Sequence, residues 1–509
     1  MSVVTNNGLF VALSALLAVE KSSPYEEAKI SSCGLDANDS LRDGLFICIS
    51  SDASGARAEI ETAARNGAVA AVLPRALESE FVALAQDSAP TLCQTIFVDD
   101  PRDVYGRACH AFRGFPGRDM KLIGITGSAG KTSLSYVLGG VLAEAGLRLG
   151  LIGSLGVYDG HKLYPTTSTT PTPDRMAELL DRMANNGCDC VIIEASSVGL
   201  AEKRLAGLEL DAVCLTNLRR DHLDFHGSVD QYRSAKMRIF SYLKPSGFAV
   251  CNKDDRVTEA AMHMIEHPLL TVGLQPTTCS VSGTPVELIG GEQTFYIVAG
   301  SDAAPIRAKI VGKEHIYNSL EAAALALAWK IDIKTIARGL ERVESIPGRM
   351  ERVDCGQPFS VYLDRANSPD SLASALDAMR AITRGSIYCV LCAPNDGDHS
   401  KRPLMARVAE TNADFTVVTS GILAGTQTSE AFDDLRKGLV DEDAARFIED
   451  RKDAIVWALS HASVDDAVLI VSQDVSSYDF NKDYFVPDRH FIKSWLSENL
   501  ASAESYWFN

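Results

Sequence analysis

The segment GITGSAGKTS, residues 124–133, ends in Gly130-Lys131-Thr132. That is the close of a phosphate-binding loop, G-x-x-x-x-G-K-[ST], with its opening glycine displaced: Ile125 stands where it belongs and Gly124 comes one residue early. A glycine-rich turn between a strand and a helix aims backbone N–H groups and the helix N-terminus at phosphate. The apolar run KLIGIT precedes this turn and KTSLSYVLGGVLAEAGL follows it. Lys131 is placed to reach the terminal phosphates of a nucleotide, and Thr132 to offer its hydroxyl to Mg²⁺. An ordinary glycine turn is the alternative reading of the same residues.

Other polar residues recur at the ends of apolar runs. CDCVIIEAS, LDAVCLTN and GFAVCNKDD read as strands, and Thr126, Glu194, Thr216-Asn217 and Asn252 fall at strand ends. Short apolar strands alternating with helices imply a buried parallel sheet with helices on both faces. Ligands in such sheets sit at the carboxyl ends of the strands. Upstream, GLFICIS and VAAVLP read as strands around the helix ARAEIETAARNGA, and RGFPGRDM at 113–120 reads as a linker. A second break lies near VESIPGRMERVD at 343–354, and beyond it FSVYLDRA, SIYCVLCAP, FTVVTSG and AVLIVSQD are four further strands. The expected class is α/β in three domains: a small α/β domain near 1–113, a central P-loop-type doubly wound sheet near 114–346, and a Rossmann-like sheet near 347–509.

A length of 509 residues suits this division. Hydrophobic content of 46% against 23% charged supplies cores for soluble domains. The net charge of −18 argues against nonspecific nucleic-acid binding, which needs a basic surface. The 12 cysteines are dispersed, and Cys188 and Cys190 lack zinc-knuckle spacing, so reduced, mostly buried thiols of a cytosolic protein are expected. The N-terminal MSVVTNNGLFVALSALLAVEKS has no basic n-region and no small-residue cleavage site, and reads as an amphipathic first helix rather than a signal peptide. No run is long and apolar enough to span a bilayer. A cytoplasmic monomer without membrane or nucleic-acid partners is expected.

The shorter loop T-G-x-x-G-K-T resembles that of the Mur ligases, which join amino acids to the growing peptidoglycan precursor. The resemblance extends through EASSVGL (194–200), TNLRRDHLDFHGS (216–228), YRSAKMRIF (232–240), GRMERV (348–353) and KRPLM (401–405), in the family's order. With STTPTPD (168–174), the chain looks most like the MurE branch, which adds the third residue to UDP-N-acetylmuramoyl-L-alanyl-D-glutamate. The match is clear from residue 122 to about 405 and weaker at both ends.

The resemblance implies a mechanism. A carboxylate attacks the γ-phosphate of ATP to give an acyl phosphate, and an amine displaces phosphate through a tetrahedral intermediate. Charge accumulates between anions, so catalysis depends on cations and positioning. By resemblance, Gly127, Ser128, Ala129, Gly130, Lys131, Thr132 and Ser133 hold the phosphates. Asn318, Arg349 and Asp364 lie on the adenine and ribose side. Arg349 falls at the expected hinge between the second and third domains, where closure could bring it onto ATP. Glu194 and His222 correspond to metal ligands beside Thr132. Mg²⁺ prefers oxygen ligands, so His222 holds that role by resemblance alone. Lys236 corresponds to a lysine carried as a carbamate, formed by adding CO₂ to its amine, which then supplies an oxygen anion. Lys131, Glu194, His222 and Lys236 are the implied catalytic set. Ser168, Thr169, Thr170, Ser196 and Arg204 correspond to residues holding the UDP-muramoyl peptide, and the planar fork of Arg204 suits a carboxylate or phosphate. Taken without the resemblance, Glu194 also reads as a solvated strand end, His222 as a hydrogen-bonded turn histidine, and Lys236 as a helix-surface lysine.

The chain also departs from the family. Ala129 replaces an asparagine of the loop, Val198 a histidine after Ser-Ser, and Asn367 a histidine in DRANSPD. Members that add diaminopimelate carry an arginine near Gly397, a D-N-P-R where TSGILAGTQTSEA stands, and a G-K-G-H-E where SQDVSSYDF stands. The uridine-side D-S-R is not evident before DGLFICIS. Three readings follow. The first is an ATP- and Mg²⁺-dependent ligase on a UDP-muramoyl peptide, whose amino acid is smaller or less charged at its far end than diaminopimelate unless Arg402 or Arg436 replaces the missing fork. The second is an eroded nucleotide-binding scaffold or regulator. The third is a related ligase for a different carboxylate. Retention of Lys131, Thr132, Glu194, His222 and Lys236 together favours the first.

Overall fold

The computed structural model of the chain describes residues 4–5, 11–12, 29–39, 41–86, 93–275, 278–289, 291–394, 398–420, 426–471 and 487–507. Three large sheets follow one another along the chain. The central one sets the site. Lys121–Thr126 lies between Cys190–Glu194 and Leu210–Leu215, and all three run parallel. Leu149–Gly153 and Leu243–Asn252 extend the parallel core on either side. Alternate residues of these strands feed two separate cores. Ile123, Ile125, Ile192 and Cys214 face one, and Leu122, Val191, Ile193 and Val213 face the other. A strand buried on both faces therefore reads as one continuous apolar run.

The helix Lys131–Glu144 covers one face. Its Leu134, Val137, Leu138, Val141 and Leu142 are buried, the spacing of a helical stripe. Lys313–Ala328 packs beside it, and Pro173–Asn185 covers the opposite face. The sheet is not purely parallel, as its strand–helix alternation implied. Gly156–Tyr158 and Leu163–Tyr164 add an antiparallel edge, and Val281–Ile289, Glu292–Ala299 and Asp302–Ala308 add an antiparallel meander at the other end.

The C-terminal sheet orders its strands Glu351–Arg352, Ser360–Asp364, Ala467–Val471, Ile387–Cys392, Phe415–Thr419, Ala445–Phe447, parallel except at the first pair. The N-terminal sheet is built on Ser32–Gly34, Gly44–Ile47, Ala68–Pro74 and Gln94–Val98, all parallel. The expected amphipathic first helix is corrected where it is described. Val4–Thr5 is extended and pairs with Ser32–Cys33 at the edge of the N-terminal sheet, and Val11–Ala12 pairs with Lys29–Ile30 in a separate two-stranded ladder, so backbone pairing replaces the helix; the rest of that segment lies outside the described residues. The described helices include none long and apolar enough to cross a membrane. The 12 cysteines all fall among the described residues and form no disulfide, and ten of them are buried.

Candidate active site

Two glycines shape the phosphate loop. Gly127 has φ +150° and Gly130 φ +87°. A Cβ on Gly127 would fall 1.9 Å from Thr216 Oγ1, and one on Gly130 would fall 2.8 Å from Asn318 Oδ1. Positive φ and close approach both demand glycine here. The loop is clamped through the backbone of Ala129: its N–H donates to Asn217 Oδ1 at 2.9 Å, and its carbonyl accepts from Thr216 Oγ1 at 2.6 Å. The missing loop asparagine is thus not what holds the turn. Gly130 offers no side-chain cap to the helix Lys131–Glu144, so the helix N-terminus keeps N–H groups for an anion.

Two amines converge under the loop. Lys131 Nζ donates to the Gly127 carbonyl at 2.8 Å, and Lys236 Nζ donates to the same oxygen at 2.7 Å. Lys236 is only 1% exposed, which corrects the helix-surface alternative. Burial, then the charge of Lys131, holds its pKa well below the ordinary lysine value. Burial also lowers Lys131, against the pull of Glu194 and Asp221. The Lys236 Nζ lies 4.8 Å from the ring centroid of Tyr232, whose hydroxyl donates to Ser128 Oγ at 2.8 Å. Ser128 Oγ in turn accepts the Arg219 N–H at 2.9 Å.

Glu194 is 0% exposed, not a solvated strand end. Its Oε2 accepts from Thr132 Oγ1 at 2.9 Å and from Ser154 Oγ at 3.1 Å. Its Oε1 is buried with no hydrogen-bond partner. Burial raises its pKa, and the nearby Lys131 charge opposes that. An unsatisfied carboxylate oxygen beside a threonine hydroxyl fits a hard cation. His222 lies in the left-handed region, φ +50°. Its N–H donates to Asp221 Oδ1 at 3.0 Å, and its Nε2 lies 3.6 Å from Asp221 Oδ2. The described residues include no cluster of three or more His, Cys, Asp or Glu suited to a metal. Any metal here would rely on Thr132, the Glu194 carboxylate and one or two donors from His222 and Lys236.

Two cavities share the loop. The larger, about 760 Å³, is lined by Ala129, Gly130, Thr132 and Ser133 together with Asn318, Arg349 and Asp364. Its wall includes Pro285, Leu288, Val311 and Ile316, apolar enough for a flat base. Arg349 Nη2 reaches Thr132 Oγ1 at 3.5 Å, and its Nε is buried without a partner. Asp364 Oδ2 accepts the Met350 N–H at 2.8 Å; burial raises this carboxyl and Arg349 opposes the rise. The smaller cavity, about 550 Å³, is lined by Ser128, Lys131, Ser168, Thr169, Ser196, His222 and Lys236.

Thr170 stands just behind that wall, buried, donating to the Glu194 carbonyl at 2.9 Å. Arg204 does not line either cavity. Its Nη1 donates to the Thr170 carbonyl at 2.7 Å, and Nε and Nη2 donate to Glu202 Oε2 at 2.8 and 2.6 Å. In the C-terminal unit, Gly397, the stretch 421–425 and the stretch 472–486 lie outside the described residues. Arg402 is buried, with Nε and Nη2 on the Pro394 carbonyl and Nη1 on Asp434. Arg436 pairs with Asp433 and lies over Phe447.

Ser154, Tyr232 and Asp221 hold the site without having been singled out from the sequence. Ser154 follows the strand Leu149–Gly153, whose apolar run carries the same strand-end signal as Glu194.

The chain is similar to known proteins over most of its length. Residues 125–326 match the Mur ligase middle domain, and residues 348–473 match the Mur ligase glutamate ligase domain. The UDP-N-acetylmuramoyl-L-alanyl-D-glutamate–2,6-diaminopimelate ligase of Geobacillus thermodenitrificans (strain NG80-2) is 33% identical over 441 residues, 85% of this chain and 88% of that one. A solved structure of a ligase of that name superposes with a TM-score of 0.66 at 23% identity, covering 96% of this chain and 98% of that one. The MurF ligase of Thermotoga maritima in complex with ADP gives 0.56 at 15% identity, over 86% and 93%. The chain belongs to the Mur ligase family.

Proposed function

We propose that this chain is an ATP-dependent amide ligase of peptidoglycan precursor synthesis. It would join an amino acid to a UDP-muramoyl peptide in the cytoplasm, by way of an acyl phosphate. The observation that carries this is the position of the loop. Ala129, Gly130 and Thr132 line both an apolar-walled cavity and a polar one, with Lys131 on the polar side and the buried Glu194 bonded to Thr132, so a nucleotide and an acid would meet end to end there.

In this reading Asn318, Arg349 and Asp364 hold the nucleoside, while residues 127–133 cradle the phosphates. Lys131 swings from the Gly127 carbonyl onto the γ-phosphate. Ser168, Thr169 and Ser196 present the acceptor carboxylate from the polar side. Thr170 and Arg204 brace that wall rather than reach the cavity, and Arg204 meets an anion only by exchanging Glu202 for it. Glu194, Thr132, His222 and carbamylated Lys236 would hold Mg²⁺, which neutralises phosphate charge during transfer. Burial lowers the Lys236 pKa and so favours the neutral amine, the form that adds CO₂. Arg349, which touches both cavities, places a cation where charge develops. Residues 1–113 take the uridine end, and 347–509 the incoming amine.

The test is release of ADP and phosphate with UDP-N-acetylmuramoyl-L-alanyl-D-glutamate, screened over amino acids. Release that requires both the precursor and one class of amino acid supports the reading. Nucleotide binding without such turnover favours the scaffold.

A further inference from the structure

Asp221 and Lys401 have no role in the mechanism above, yet they meet at its edge. Asp221 lies in the turn before the short helix Leu223–His226 of the central unit. Lys401 ends the turn His399–Lys401, which opens the helix Arg402–Asn412 of the C-terminal unit. Lys401 Nζ lies 3.3 Å from Asp221 Oδ1, with the two side chains 6% and 9% exposed. Beside them, Arg220 Nη2 donates to Ser400 Oγ at 3.4 Å. Two consecutive residues of one unit thus dock on two consecutive residues of the other, 180 positions away.

The Asp221 carboxylate also grips its own neighbour. Oδ1 accepts the His222 N–H, and Oδ2 faces His222 Nε2. His222 sits at φ +50°, a left-handed backbone uncommon outside glycine, and the Asp221 contacts support it. A buried carboxylate needs a counter-charge. Lys401 brings one from the C-terminal unit.

We propose that Lys401 is a positioning residue acting through Asp221: seating of the C-terminal turn fixes the carboxylate, and the carboxylate fixes the backbone and ring of His222. The metal side of the site is then set only when the C-terminal unit, with its amine-binding surface, is in place. Phosphoryl transfer is thereby tied to readiness for the acceptor amine. This rests on His222 belonging to the metal side, as read above.

The test compares Lys401→Met, Asp221→Asn, their combination and Lys401→Arg in the full chain. Backbone hydrogen exchange, measured without ligands, reports residues 218–227 and 398–405. Lys401→Met and Asp221→Asn should each speed exchange in both segments about tenfold, the double variant should add nothing, and Lys401→Arg should stay slow. In turnover with ATP, Mg²⁺ and the UDP-muramoyl dipeptide, Lys401→Met should lower kcat about 10–100-fold and raise the Mg²⁺ needed for half-maximal rate, with the KM for ATP within about twofold. Unchanged exchange at 218–227 in Lys401→Met, or additive losses in the double variant, overturns the coupling. Wild-type chain with the expected exchange pattern but no amide product overturns the ligase reading and leaves the coupling intact.

Discussion

Replacing Glu194 by Gln changes one charge and little else. The two side chains have the same shape, and the glutamine carbonyl oxygen can keep the bonds from Thr132 Oγ1 and Ser154 Oγ. The amide nitrogen then takes the place of Oε1, which is buried and without a partner. A position suited to face a cation becomes a donor. The fold should tolerate this, since burial already disfavours the charged carboxylate. The chemistry should not. Loss of one preorganised electrostatic contact at a reacting centre costs about 3–4 kcal/mol, or about 10²–10³ in kcat. The assay is phosphate release under saturating ATP and precursor, with thermal melting as the control for folding. A folded Glu194→Gln variant with kcat within about threefold of wild type and an unchanged Mg²⁺ requirement would refute the assignment of this carboxylate.

Lys131→Ala should abolish nucleotide turnover while the thermal melt stays near that of wild type; unchanged phosphate release in the folded variant argues against the loop assignment. Lys236→Ala should lose activity and regain part of it with short carboxylic acids, which mimic a carbamate oxygen; a density map with nucleotide and CO₂ showing an unmodified Lys236 directed to solvent rules the carbamate out. Glu321 lies outside the site, buried with both carboxylate oxygens unpartnered, and burial raises its pKa well above the ordinary value. The folded state therefore holds this proton after the unfolded chain has released it, so the group costs stability as pH rises from about 4 through the raised folded value. Glu321→Leu should stabilise the protein by about 1–3 kcal/mol in urea unfolding, more at pH 8 than at pH 5; a gain equal at both values contradicts the titration.

The sequence showed the loop and the strand ends because apolar runs there stop abruptly at polar residues: Thr126, Glu194 and Asn252 each close a strand. Burial of Lys236 was not legible. A lysine inside YRSAKM reads as a helix surface, and its enclosure depends on Tyr232 and the distant Gly127 carbonyl closing over it. The meander at 281–308 was missed because Pro285 and Pro305 interrupt it, and because its strands are exposed on one face. The Arg204–Glu202 fork was hidden by local geometry. Residues two apart do not face each other along a helix, but the helix Ser197–Ala201 ends there, and Lys203 at φ +55° turns the chain back so that the two side chains meet. The stretches expected from the sequence to meet the incoming amino acid lie partly or wholly outside the described residues, while Arg402 is held by Pro394 and Asp434. The expectation of a donor smaller or less charged than diaminopimelate therefore still rests on the sequence, and it differs from the diaminopimelate for which the Geobacillus relative is named.

In the proposed reaction the acceptor carboxylate is activated by phosphoryl transfer between the two cavities. The most direct test of this activation labels both carboxylate oxygens of the precursor's glutamate side chain with ¹⁸O and follows ATP turnover with an accepted amino acid by mass spectrometry. Attack on the γ-phosphate places one labelled oxygen in the C–O–P bridge, and displacement by the amine leaves it on phosphate. One ¹⁸O should appear in the released phosphate for each amide formed. Amide formation with unlabelled phosphate, or labelled precursor recovered intact while ATP is consumed, would contradict this activation.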